Sequence, residues 1–223
     1  MPGWVKFRRW RCRRDADAAL LRYWQAALPR QSADWRSVPF LVVDAEMSSL
    51  EVEQGDLLSL GWVEVNQGAV DLASARHLLV QARGSVGQSA TIHQLRDCEV
   101  ADGMHAARAL SAFMQASAGR VLVFHNATLD LAYLNRLSLT LHGAPLLQPY
   151  VCTLRLEQRQ LERHDQAIKS GALTLAGCRE RYNLPSYSAH NALWDALATA
   201  ELLLAHATRR AGGGTLALSD LAA

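Results

Sequence analysis

The feature that most constrains this chain is a short apolar run that ends in two acids. Val38 and Phe40–Val43 are apolar, and most of these residues are β-branched or aromatic. Pro39 interrupts the run only near its start, where a strand tolerates proline. Such a run predicts a buried strand. It leads directly into Asp44 and Glu46, and alternate side chains of a strand project from the same face.

Two carboxylates held side by side at the end of a buried strand are electrostatically unfavourable. Like charges repel, and removing each of them from water costs several kcal/mol or more. A bound divalent cation is the usual compensation. Asp44-x-Glu46 alone is a weak signal, and a solvated loop that happens to hold two acids explains it better unless other acids join the pair.

Length and composition favour one α/β domain with an added N-terminal segment. The chain has 223 residues, and half of them are hydrophobic. Its net charge is only +2, but residues 1–14 contain six basic side chains and no acid. The positive charge is therefore concentrated near the N-terminus, and the protein as a whole is not polycationic.

The cysteines and the hydropathy pattern favour a cytoplasmic protein. The four cysteines are far apart and form no C-x-x-C pair, so neither a zinc site nor a disulfide framework is predicted. No run of 18 apolar residues occurs, so we expect no transmembrane helix and no membrane partner.

The pattern divides the chain into an arm at 1–37, a domain at 38–211 and a short, loosely held tail at 212–223. The arm begins with basic residues interleaved with Trp4 and Trp10, which could contact phosphates and stack on bases. Alternatively, this is a solvated segment whose tryptophans pack back on the domain. Helical spacing after Asp15 predicts an amphipathic helix on the core.

The domain reads as a mixed α/β sheet flanked by helices. The first three strands form an antiparallel meander, and later strands run parallel to the first. The predicted strands after the first are 57–65, 70–80, 121–124 and 146–151, and the predicted helices are 105–118, 127–139, 153–163, 173–182 and 192–209. Asn126 is expected to cap the helix that follows it.

Two further acids lie where they could join the first pair. Asp130 falls in the first turns of a helix launched by a strand, and Asp195 falls early in the last long helix. Strand ends beside a topological switch point are where open α/β sheets place their sites. Four carboxylates there could hold two divalent ions about 4 Å apart, with Mg²⁺ or Mn²⁺ favoured over zinc.

His190 comes five residues before Asp195, so the two side chains do not share a face of one helix. If both serve one site, His190 belongs to the preceding loop and only Asp195 to the helix. A histidine there could accept a proton from water. The alternative is an ordinary surface histidine.

Three ordered motifs give the chain a resemblance to the DEDD-type 3′–5′ exonucleases of the histidine subclass, the group of the proofreading epsilon subunit of bacterial DNA polymerase III. VVDAEMSSL resembles the first motif, VFHNATLDLAYLNRL the second and HNALWDALATAELLL the third. The segments TIHQL at 91–95 and SGALTLAGCRERYNLP at 170–185 resemble supporting elements. The resemblance covers about residues 40–211.

The resemblance implies a ribonuclease H-like fold and a two-metal exonuclease that releases nucleoside 5′-monophosphates from 3′ ends. It assigns the four acids to two Mg²⁺ or Mn²⁺ ions and His190 to the general base. It implies nucleic acid as the partner, with single-stranded DNA favoured, and a polymerase or other protein as a possible second partner. Substrate contacts are expected from Met47, Leu50 and His93.

The first motif departs from the family pattern. Ala45, Met47, Ser48 and Ser49 stand where relatives commonly have Thr, Thr, Thr and Gly. We expect this to alter substrate preference and not to abolish activity. Two alternatives stay open, a 3′–5′ exoribonuclease of the same fold and a binding module that has lost turnover.

Overall fold

A computed structural model describes residues 3–82, 101–163, 168–187 and 190–222. They form a five-stranded sheet with the order β3-β2-β1-β4-β5. The strands are β1 (Phe40–Met47), β2 (Leu57–Asn66), β3 (Ala69–Leu79), β4 (Val121–Phe124) and β5 (Tyr150–Cys152). The helices are α1 (Gly3–Cys12), α2 (Ala18–Gln25), α3 (Ala106–Ser117), α4 (Ala127–His142), α5 (Thr153–Arg163), α6 (Leu175–Glu180), α7 (Ala192–Ala211) and α8 (Leu218–Leu221).

The predicted mixed sheet is confirmed. Strand β1 pairs antiparallel with β2, β2 pairs antiparallel with β3, and β4 and β5 continue parallel to β1 on its other side. As predicted, Asp44 and Glu46 lie near the end of strand β1, opposite Gly61 and Ser59 of β2. Strand β5 is shorter than the predicted 146–151 because Leu147 adopts a left-handed conformation before it, with φ 51°.

The alternation along β1 decides which face of the sheet receives the acids. Leu41 and Val43 pack into a core formed with α2, α3 and α4. Phe40 and Val42 point the other way, into a core formed with α7 and α8. Because side chains alternate, Asp44 continues the second set and faces the side of the sheet that α7 covers.

Asn126 does not cap α4 as expected. Its backbone is left-handed, with φ 67°, and its side chain makes no capping hydrogen bond. The chain turns sharply between the end of β4 and the start of α4, and asparagine tolerates the left-handed region better than most residues. The residue therefore serves the turn and not the cap. Helix α6 is also shorter than the predicted 173–182 and begins after Thr174, whose hydroxyl accepts a hydrogen bond from Gly177 N–H.

Residues 3–12 are helical and their large aromatics do not pack back on the domain. The side chains of Trp4, Phe7 and Trp10 are 45%, 57% and 71% exposed. Val5 and Arg9 are buried instead. Among the described residues, no helix combines the length and the apolar character that a membrane span requires.

The expectation of a loosely held tail is wrong. Leu216, Leu218 and Leu221 are buried in the core beside α7. The tail is also tied to the segment before β1, because Leu218 N–H donates to Ala33 C=O at 2.9 Å and Trp35 N–H donates to Leu216 C=O at 2.9 Å. Its leucines cover the sheet face next to α7.

The packing of the tail predicts a large effect of Leu218→Ala on stability. Removing a fully buried leucine side chain should lower the free energy of unfolding by about 2–5 kcal/mol. Leu72→Ala, at an exposed position on β3, is the matched control and should change it by less than about 0.5 kcal/mol. Urea denaturation measures both, and equal effects would contradict the observed packing.

Candidate active site

Three of the four predicted acids lie against one another at the carboxyl edge of the sheet. Carboxylate oxygens of Asp44, Glu46 and Asp195 all lie within 4.8 Å of one another. The first two project from the same face of β1, and the third comes from the first turn of α7, which covers that face. Acids about 150 positions apart along the chain therefore form one cluster.

Close backbone packing brings Asp195 to this position. A Cβ atom on Gly61 would lie only 2.2 Å from the carbonyl carbon of Ala192, so the start of α7 rests directly on β2. Gly61 is the partner of Asp44 in the sheet. Asn191 caps α7, with its side-chain oxygen accepting hydrogen bonds from the N–H groups of Leu193 and Trp194. The helix start is thus fixed opposite the strand that carries the other acids.

Asp130 reaches the same edge of the sheet from the opposite side. It lies in the first turn of α4 and is only 6% exposed. Its Oδ1 accepts a hydrogen bond of 3.1 Å from the N–H of Ala45, the residue between Asp44 and Glu46. The fourth predicted acid is therefore adjacent to β1 at the position of the first two.

His190 lies in the loop before α7, as its spacing predicts. Its backbone is left-handed, with φ 68°, and its N–H donates to Asp195 Oδ2 at 2.8 Å. The side chain is exposed to solvent. The main-chain bond fixes the residue beside the acid cluster and leaves its imidazole accessible.

Burial raises the pKa values of all four acids, and repulsion between acids adds to it at three of them. Burial, with added repulsion from Asp195, raises the pKa of Glu46 to about 7. Burial also raises the pKa of Asp130 to about 7, against the hydrogen bond from Ala45. The pKa of Asp44 is raised well above its ordinary value by burial and by its three acidic neighbours, and burial raises that of Asp195. The raised values mean that burial and repulsion outweigh the nearby positive charge.

The composition of the cluster fits divalent cations. Within the part of the chain that the structure describes, no Lys or Arg side chain forms an ion pair with any of the four acids. The side chains offer only hard oxygen ligands, which favour Mg²⁺ or Mn²⁺ over softer metals.

The three predicted substrate contacts differ in their surroundings. Met47 follows a bulge in the pairing of β1 with β2, and its side chain packs partly buried on the core. Leu50 is 83% exposed in the turn after β1, and His93 lies outside the described residues. The hydroxyls of Ser48 and Ser49 accept hydrogen bonds from N–H groups of the same turn, at Asp56 and Glu51. Contact of the three residues with substrate stays a prediction.

Sequence reasoning missed a tyrosine that holds this turn. The hydroxyl of Tyr133 donates to Ser49 C=O at 2.7 Å, and a Cβ atom on Gly55 would overlap with it. Tyr133 follows Asp130 by three residues, so both lie on one face of α4. The only signal in the sequence was a tyrosine three residues after Asp130, on the same face of the predicted helix.

A second missed group fixes the loop that leads to His190. The buried guanidinium of Arg179 pairs with Glu201 at 2.7 Å, donates to Pro185 C=O and lies 4.8 Å from the ring centre of Tyr187. The hydroxyl of Tyr187 donates to Glu201 at 2.8 Å. Arg179, Pro185 and Tyr187 border a cavity of about 540 Å³ beside Asp195. The sequence alone does not identify Glu201 as the partner of Arg179.

A family comparison decides the assignment of this site. The model of the exonuclease family RNase_T matches residues 41–203, which contain all four acids and His190. The chain belongs to this exonuclease family. Membership makes it a nuclease, a hydrolase of a family that typically uses divalent metals. No curated protein sequence matches the chain significantly.

Solved structures show that this exonuclease has the ribonuclease H-like fold. Exonuclease X in complex with 5′-overhanging duplex DNA has a TM-score of 0.61 and 21% identity, over 82% of this chain and 98% of that one. Pop2p from S. pombe with Mg²⁺ and Mn²⁺ has a TM-score of 0.62 and 10% identity, over 77% and 84%. E. coli exonuclease I with a dA16 oligonucleotide has a TM-score of 0.65 and 11% identity, over 78% of this chain but 41% of that one. At these identities the likeness establishes the fold.

The contact between β2 and α7 predicts that Gly61→Ala lowers the rate of cleavage as well as the stability of the fold. The added methyl group must push the start of α7 away from the sheet, and Asp195 moves with it. We expect at least a tenfold loss in the rate of nuclease cleavage and about 1–3 kcal/mol in unfolding free energy. Gly3→Ala, where no atom lies within 4 Å, is the control. Unchanged activity with lowered stability would contradict this role of the contact.

The raised pKa of Asp130 predicts the pH dependence of stability without metal. Because its pKa is about 7 in the folded state and about 4 unfolded, the folded state holds a proton that the unfolded state releases between these values. The wild type in EDTA should therefore lose stability as the pH rises from about 4 to about 7.

Asp130→Asn tests this assignment because the amide oxygen can still accept from Ala45 N–H. In EDTA the variant should be more stable than the wild type by about 1–3 kcal/mol at pH 8 and by little at pH 5. Adding Mg²⁺ should stabilise the wild type more than the variant. Asp71→Asn, an exposed aspartate that accepts from Ala73 N–H, is the control. Urea denaturation at both pH values gives the comparison, and destabilisation at pH 8 would contradict the pKa assignment.

Proposed function

We propose that this protein is a 3′–5′ exonuclease that removes nucleoside 5′-monophosphates from nucleic acid 3′ ends, with single-stranded DNA as the favoured substrate. The observation that carries the proposal is the convergence of four acids without a cationic partner among the described residues. Family membership supports cleavage of phosphodiester bonds at chain ends.

In this proposal Asp44, Glu46, Asp130 and Asp195 hold two Mg²⁺ or Mn²⁺ ions. When bound, such ions polarise the scissile phosphate and stabilise the charge that develops on the attacking and leaving oxygens. The protein holds its carboxylates at fixed positions through β1, the Ala45–Asp130 hydrogen bond and the start of α7. Pop2p, which shares the fold, was solved with Mg²⁺ and Mn²⁺.

His190 is proposed to accept the proton of the attacking water. Its main-chain N–H is bonded to Asp195, while its imidazole is exposed at the rim of the cluster. The Arg179–Glu201–Tyr187 group holds residues 185–187, which precede it in the chain. This histidine in the third motif is also the reason to place the protein in the histidine subclass, beside the epsilon-type proofreading enzymes.

The preference for DNA is supported by complexes of proteins with the same fold. Exonuclease X was solved with overhanging duplex DNA and exonuclease I with dA16. Discrimination against RNA depends on the space around the 2′-hydroxyl. The assay must therefore distinguish DNA cleavage from RNA trimming. A polymerase partner would be tested separately, by co-purification with the full chain.

The assay uses oligonucleotides of DNA and RNA labelled at the 5′ end or at the 3′ end, with Mg²⁺, Mn²⁺ or EDTA. With the 5′ label we expect a ladder of products shortened from the 3′ end. With the 3′ label we expect immediate release of a labelled mononucleotide. EDTA should abolish both. A ladder that shortens only from the 5′ end would reject the proposed polarity, and no cleavage of either polymer would reject the activity.

Two histidine variants test the proposed base. His190→Ala should lower the rate of DNA cleavage by about 10²–10⁴-fold, because a positioned general base contributes that much. His105→Ala, at an exposed position before α3, is the matched control and should leave the rate unchanged. Thermal unfolding of both variants separates loss of chemistry from loss of fold. Equal rates for the two variants would contradict the role of His190.

A further inference from the structure

Helix α1 lies outside the family match and presents both basic and aromatic side chains on its exposed side. At about 100° per residue, Val5, Arg9 and Cys12 share its inward face. Around the outward arc the order is Lys6, Trp10, Phe7, Arg11, Trp4 and Arg8, and all six are exposed. Charges and rings therefore share one surface, on which Trp10 and Phe7 are neighbours.

The inward face fixes α1 to the domain. The buried guanidinium of Arg9 donates to Leu147 C=O at 3.0 Å, to Trp24 C=O at 2.9 Å and to the side-chain oxygen of Gln148. Burial lowers the pKa of Arg9 to about 10. Val5 is completely buried beside it. The outward face is therefore a surface in a fixed position, and Arg9 anchors the helix instead of offering its charge to a ligand.

A groove of about 520 Å³ runs between α1 and one side of α4. Trp4 and Arg8 line it on the side of α1, and Thr128 and Arg155 line it where α4 and α5 begin. Thr128 precedes Asp130 by two residues, so its side chain lies on another side of α4, and the groove opens beside the start of the helix that carries Asp130. The groove follows about two turns of α4, roughly 10 Å, which corresponds to about three nucleotides of a stacked strand.

The basic residues along this path lack acidic partners. Over the residues that the structure describes, neither Arg8 nor Arg155, which line the groove, forms an ion pair. Unpaired cations attract phosphates, and exposed aromatic rings stack on bases of any sequence.

We propose that α1 and this groove bind the part of a single-stranded nucleic acid on the 5′ side of the nucleotide being removed. The inference rests on the proposed exonuclease function, which places the 3′ end at the acids. In this proposal the strand passes from the acid cluster over the start of α4 into the groove, which Arg155, Arg8 and Trp4 line. Sugar–phosphate contacts by the arginines and stacking on Trp4 would hold it without sequence preference.

The mixture of charges and rings distinguishes this surface from a membrane-binding helix. An interfacial helix separates an apolar face from a charged face. In α1 the aliphatic Val5 faces the domain, and basic residues flank both the Trp10–Phe7 pair and Trp4. The exposed side of α1 is therefore not divided into an apolar face and a charged face.

The test compares Trp4→Ala/Arg8→Ala with a control at the opposite edge of the sheet, Arg76→Glu on β3. Binding of a fluorescein-labelled 20-nucleotide single strand is measured by anisotropy in EDTA over a salt series. We expect at least a tenfold weaker affinity for the double variant, and a slope of log affinity against log salt that is smaller by about 0.7. The Arg76→Glu protein should bind like the wild type.

Turnover of a dinucleotide and of the 20-mer with Mg²⁺ provides the second measurement. The double variant should have a raised KM for the 20-mer and unchanged kinetics on the dinucleotide, which is too short to reach α1. Equal affinity of the double variant and wild type, with helix content intact by circular dichroism, would overturn the proposal. Equal loss on both substrates would overturn it too.

Binding in EDTA separates this inference from the proposed function. A wild type that binds the 20-mer through α1 but cleaves neither substrate would reject the exonuclease activity and leave the binding surface standing. Undiminished DNA binding by the double variant, together with lost binding to phosphatidylserine vesicles, would assign α1 to membranes and overturn the inference.

Discussion

Repulsion among four carboxylates, one buried and three partly buried, is the constraint on which the rest of the structure depends. The acids raise one another's pKa values, and no described Lys or Arg forms an ion pair with them. Without bound cations this repulsion opposes folding. It is held by two hydrophobic cores, one on each face of the sheet, and by backbone contacts that place the helix starts against β1. The cores supply the stability that the site lacks.

Much of this site could be predicted because its signals are local. The apolar run before Asp44 identifies a strand, and the period of two places Glu46 on the same face. The spacing of His190 and Asp195 correctly places the histidine in a loop and the acid on a helix. The spacing of the four acids along the chain does not show that they meet in space. That prediction rested on the usual placement of sites at strand ends and on the resemblance of three motifs. The observed positions of the acids agree with it.

The features that were missed depend on contacts between distant parts of the chain. Nothing local in the sequence indicates that Gly61 touches Ala192, or that Arg179 would find Glu201 as its partner. The tail was misjudged for the same reason, because Leu218 is apolar in a short segment whose covering position beside α7 is set by the tertiary fold. The prediction that Asn126 caps α4 was wrong because asparagine is common both at helix caps and in left-handed turns.

The direct backbone contact between Gly61 and Ala192 affects which amino-acid substitutions the protein can tolerate. With no side chain between Gly61 and Ala192, main-chain atoms of β2 and α7 set how closely the start of the helix approaches the partner of Asp44. Further along α7, side chains separate the helix from β2, so substitutions there change volume at a distance from the first turn. We therefore expect core substitutions along α7 to disturb the spacing of the two acids less than any substitution of Gly61.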